Sequence, residues 1–80
     1  MNRKLLEHYL SETENHVDTA RLRVKRQATV LHLMKREGKD VGAAVELMTQ
    51  FEQVLMALEG VQSFIRRQLD RELPSAARGD

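Results

Sequence analysis

MKREGKDVGAAV, residues 34–45, is the stretch where two opposite signals of helix structure stand side by side. Gly38 ends a long run free of glycine and proline, and glycine takes the left-handed backbone conformation with which helices commonly terminate. Asp40 follows after one residue; a short carboxylate there accepts hydrogen bonds from the free amides that open a helix. A connection this short makes the flanking helices antiparallel neighbours. The stretch therefore predicts a turn at residues 38–40, a first helix over about 2–37 and a second over about 41–73.

Upstream of the turn, apolar side chains recur at Leu6, Leu10, Val17, Ala20, Val24, Leu31 and Met34, and Thr13 and Gln27 complete a series whose spacing alternates between 4 and 3 without a slip. Such a sustained period is the seam of a left-handed coiled coil. Leu10, Val17, Val24 and Leu31 take heptad position a; Leu6, Thr13, Ala20, Gln27 and Met34 take position d. Downstream, Val41, Ala44, Met48, Phe51, Leu55, Leu58, Gln62, Ile65 and Leu69 repeat the pattern. Gly60 falls at an outward position and weakens the second helix by about 1 kcal/mol. Pro74 is expected to stop it, leaving 1–74 as one helical hairpin and 75–80 as a small, polar, disordered tail. The fold class is all-α: an antiparallel two-helix coiled-coil hairpin, expected to dimerise into a four-helix bundle.

Folding the chain at the turn sets Leu10 opposite Leu69, Val24 opposite Leu55 and Gln27 opposite Phe51. The two flanks of the seam then differ. On the e flank Arg21 faces Glu59 and Glu14 faces Arg66, complementary pairs worth under about 1 kcal/mol each. On the g flank the second helix presents Leu47, Val54 and Val61 at seven-residue spacing, opposite Tyr9, His16, Arg23 and Val30. An apolar stripe on one flank of a two-helix layer has no partner within the chain, and such patches mark interaction surfaces. Closure by a symmetric second copy is the simplest solution. Tyr9, Val30, Leu47, Val54 and Val61 are therefore the expected oligomer interface, with a helix of another protein as the alternative occupant.

The totals limit what else the chain does. Its 80 residues make one small domain, for which a single core is marginal without staples or association. There is no cysteine, which removes disulfides and thiolate metal sites and fits a reducing compartment. The N-terminal MNRKLLEHYL lacks a signal-peptide core, and nothing approaches a membrane span, so a cytoplasmic location is expected and membrane is not an expected partner. With 13 basic and 12 acidic residues the net charge is +1, which suits salt-bridged helix surfaces better than general polyanion binding.

Three constellations bear on chemistry. His8, Glu12 and His16 lie at i, i+4 and i+8, a spacing that holds metal ions on helices; the arginines expected across from them, Arg66, Arg67 and Arg71, oppose a cation, and a solvated polar face is the better reading. Arg21, Arg23, Lys25 and Arg26 form the densest basic run and are the possible phosphate contacts of an alternative function, nucleic-acid association. The helical period spreads them around the helix, and aromatic stacking platforms are scarce. No nucleophile–base set and no phosphate-binding loop is present, so no enzyme, cofactor or metal is expected.

His16-Val17, Arg23-Val24, Gln27, Leu31, Gly38-x-Asp40, Ala44, Leu47-Met48 and Phe51-Glu52 together resemble a group of short uncharacterised bacterial proteins of the alphaproteobacterial type, built as one helical hairpin around a G-x-D turn. The resemblance covers roughly residues 16 to 70. It implies the hairpin fold and a bacterial cytoplasmic setting, and no site, ligand or reaction.

Overall fold

The computed structural model describes the backbone of residues 2–78 and the side-chain surroundings of residues 2–71. It consists of two long helices, α1 (Arg3–Arg36) and α2 (Gly42–Arg78), laid antiparallel in a rod measuring 65 × 15 × 14 Å. No helix among the described residues is long and apolar enough to cross a membrane.

Three of the four helix ends have an identifiable cause. Asn2 opens α1: its Oδ1 accepts the Lys4 amide at 2.8 Å and its carbonyl accepts the Leu6 amide at 3.0 Å. At the other end Gly38 adopts φ +70°. The Lys39 amide donates to the Met34 carbonyl at 3.0 Å and the Gly38 amide to the Lys35 carbonyl at 3.1 Å. These are the two crossed bonds of a Schellman ending, which satisfy carbonyls that the last helical turn leaves free. Lys35 and Arg36 lie in that turn, where the helix dipole favours cations. Asp40 then caps α2 as expected, its Oδ1 accepting the Gly42 amide at 2.9 Å, although the first helical acceptor is the Val41 carbonyl, so the helix opens one residue later than predicted.

The seam is where the heptads put it. Leu6, Val17, Ala20, Ile65 and Leu69 are the buried apolar residues, with Thr13 and Gln27 the buried polar ones, and every remaining seam position through Leu69 is half-buried. The polar members are satisfied. Thr13 donates its hydroxyl back to the Tyr9 carbonyl at 2.7 Å. Gln27 donates its Nε2 to the Ala44 carbonyl of the facing helix at 2.9 Å. Leu6 clusters with Ile65 and Leu69, and Leu10 packs against them.

Both e-flank ion pairs form. Arg21 Nη2 lies 3.2 Å from Glu59 Oε2, and Arg66 Nη2 lies 3.4 Å from Glu14 Oε2. One boundary differs. Pro74 does not end α2, which continues to Arg78. Proline fixes φ near −65°, a helical value, so a helix can run through it at the cost of one amide bond and crowding against the carbonyl four residues back. Of the expected tail, 75–78 extends the helix and the last two residues lie outside those described.

Candidate functional site

With α1 filling one side of the α2 seam and the ion pairs crossing the e flank, the opposite flank is left open. All five residues expected at an interface are on it and all are exposed: Leu47, Val54 and Val61 keep 41%, 49% and 48% of their surface, and Tyr9 and Val30 keep 43% each. Apolar side chains held half in water by a rigid helix have nothing further to gain from the monomer fold. Burying each fully is worth on the order of 1–2 kcal/mol.

The surface between the two helices on this side is dented. Ala20, Arg23, Gln50, Phe51 and Val54 line a depression of about 150 Å³. It exists because Ala20 is the smallest side chain on the α1 seam at this level, so the Phe51 ring is not fully covered. The dent is apolar at its floor and has one cation, Arg23, on its rim.

Residues that the flank reading missed extend the patch. Phe64 is 51% exposed, and Leu5 and Leu33 lie at heptad position c, next to g around the helix, and are exposed too. The signal was present, since c positions recur at the same spacing as g, but assigning each residue to a single seam hides it. Leu22, Val45 and Met56 are exposed singly on other faces, which is ordinary for a protein surface.

The basic run is dispersed. Arg21 is held by Glu59 on the e flank, Arg23 borders the depression on the g flank, and Lys25 and Arg26 fall at positions b and c between them. The four cations thus point to different sides and do not make one phosphate-binding surface. His8 Nε2 pairs with Glu12 Oε1 at 2.9 Å on an exposed face, its ring 6.1 Å from that of Tyr9. Among the described residues no three metal-ligating side chains come together, so His16 does not complete a set with that pair.

A larger hollow of about 370 Å³ opens at the end remote from the turn. Leu10 and Leu69 form its floor, and Arg3, Glu7, Arg66 and Asp70 surround it. Two cations face two carboxylates there, and Arg3 already pairs with Glu7 at 3.6 Å, so the rim selects neither charge. No protein-family model, curated protein or solved structure matches this chain.

Proposed function

We propose that the protein is a non-enzymatic helical interaction module that self-associates as a homodimer, closing a four-helix bundle over the flank that carries Tyr9, Val30, Leu47, Val54 and Val61. The carrying observation is the row of half-exposed aliphatic side chains at seven-residue spacing along α2. The thinness of the interior supports the same reading. Five buried apolar side chains among the described residues are little to hold two helices of 34 and 37 residues together, because stability in small helical proteins comes from burying amphipathic faces. A second layer adds to that burial without any new element. Nucleic-acid association has less support, since Arg21 is occupied by Glu59 and its neighbours diverge.

The test is a double substitution, Val54→Glu with Val61→Glu, compared with Met56→Glu on another face, where the side chain is already 70% exposed. Mass is read by light scattering and helicity by circular dichroism. The flank variant is expected as a monomer or an unfolded chain, and Met56→Glu as an unchanged dimer. A flank variant that keeps the dimer mass overturns the assignment of this face.

A further inference from the structure

α2 has a second coiled-coil seam. Interleaved with Leu47, Val54 and Val61 are Ala43, Gln50, Ala57 and Phe64, so that spacings of 4 and 3 alternate from residue 43 to residue 64. No charge falls on this line. α1 fills the first seam of α2 and leaves this one in water, with Leu47, Val54, Val61 and Phe64 each 41–51% exposed. The matching line of α1 is different. It is apolar at its ends, but Glu12, His16, Arg23 and Arg26 interrupt its middle.

The α2 line can also be set against its own reverse. Turning it about Val54 brings Leu47 against Val61. Gln50 then meets Ala57, and the small Ala43 meets the large Phe64. Val54 meets its own copy. No level opposes a charge, which is the self-complementarity that an isologous two-fold contact requires. The depression beside Val54 lies at this centre, bounded by Ala20, Gln50 and Phe51 with Arg23 on its rim. Each copy therefore offers a knob and a hole at the same level.

The surface is large enough for such a contact. The chain exposes 6130 Å², more than the roughly 4,900 Å² of a compact monomer of this mass because it is a rod of 65 × 15 × 14 Å, and a standard stable interface needs approximately 800 Å² per partner.

We infer that a second copy docks α2 against α2, antiparallel, about a two-fold axis passing beside Val54, with Tyr9 and Val30 of α1 at the margin of the contact. This rests on the self-association proposed above and adds which helix makes the contact and in which direction. Setting α2 on the partner's α1 instead lays Val54 and Val61 over Arg23 and His16. That buries a guanidinium with no carboxylate to meet it, which is costly.

Because the chain has no cysteine, single-cysteine variants label one site each. Spin labels at Met56→Cys sit level with the axis, and at the helix spacing they are expected under about 30 Å apart in the dimer. Labels at Lys39→Cys lie at opposite ends of an antiparallel dimer, about 50 Å apart at 1.5 Å rise per residue. Ala57→Glu is expected to abolish the dimer, and Thr19→Glu, the equivalent position on α1, to leave it intact. A short Lys39→Cys distance places both turns at one end. It overturns the antiparallel contact while the homodimer stands, as does a dimer lost in Thr19→Glu and kept in Ala57→Glu. Monomeric protein with no dipolar coupling between labels overturns this contact and the self-association reading together.

Discussion

The Gln27 side-chain amide donates to the Ala44 main-chain carbonyl at 2.9 Å, a hydrogen bond that crosses the buried seam and ties α1 to the first turn of α2. Ala44 lies inside a helix, so its carbonyl also serves as an i−4 acceptor and is not orphaned if Gln27 is removed. Gln27→Leu is therefore expected to melt at or above the parent temperature, because an apolar seam residue replaces a bond worth about 1 kcal/mol. Gln27→Ala, which loses both bond and volume, is expected to cost about 1–2 kcal/mol. Thermal unfolding followed at 222 nm checks the order of the three. A Gln27→Leu protein less stable than Gln27→Ala contradicts it.

Two glycines are expected to respond in opposite senses to the same substitution. Gly38 holds φ +70° with open space around its missing Cβ. Gly38→Ala meets no neighbour and suffers only the left-handed strain, about 1–2 kcal/mol. Gly60 lies in the interior of α2, also with nothing within 4 Å of an added Cβ. Gly60→Ala should stabilise by about 0.5–1 kcal/mol, chiefly by restricting the unfolded chain. Denaturant midpoints of the two variants, measured under one buffer, give the signs directly.

The cap at Asp40 is the polar device of the turn. Asp40→Ala frees the Gly42 amide and is expected to cost about 1 kcal/mol, with Asp40→Asn recovering most of it because the acceptor oxygen is kept. Equal losses in both variants would point to the charge rather than the hydrogen bond.

The interhelix ion pairs contribute to register more than to stability. Glu14, Arg21, Glu59 and Arg66 have side chains 42–57% exposed. A double-mutant cycle on either pair is expected to give a coupling of about 0.2–1 kcal/mol that shrinks in 1 M salt. A larger coupling that resists salt would mean that the pair is desolvated, as it becomes if a partner covers that flank instead.

Most of this architecture was legible because coiled-coil hairpins are governed by local rules. The seam follows from spacing alone, and every seam residue through Leu69 is buried or half-buried. Gly38 and Asp40 act through their own backbone and side-chain chemistry, so their roles needed no tertiary information. Arg21–Glu59 and Glu14–Arg66 followed once the fold point was placed. The misreadings are of another kind. The hydrogen bond from Gln27 to the Ala44 carbonyl was not foreseen, because which carbonyl a long, flexible side chain reaches depends on axial offset to within a turn, which heptads do not set. Pro74 marks the loss of one hydrogen bond, and α2 runs on past it to Arg78. The open flank was visible at Leu47, Val54 and Val61, but Phe64 and Ala57 were not, since in one heptad frame they read as isolated outward residues.

The central claim is that this hairpin is half of an assembly. Sedimentation equilibrium over a wide concentration range, with helicity recorded on the same samples, tests it most directly. The expected result is twice the 9.2 kDa chain mass, with helicity falling as the dimer dissociates on dilution, because the exposed flank and the thin seam stabilise each other. A fully helical species of single-chain mass at every concentration contradicts it.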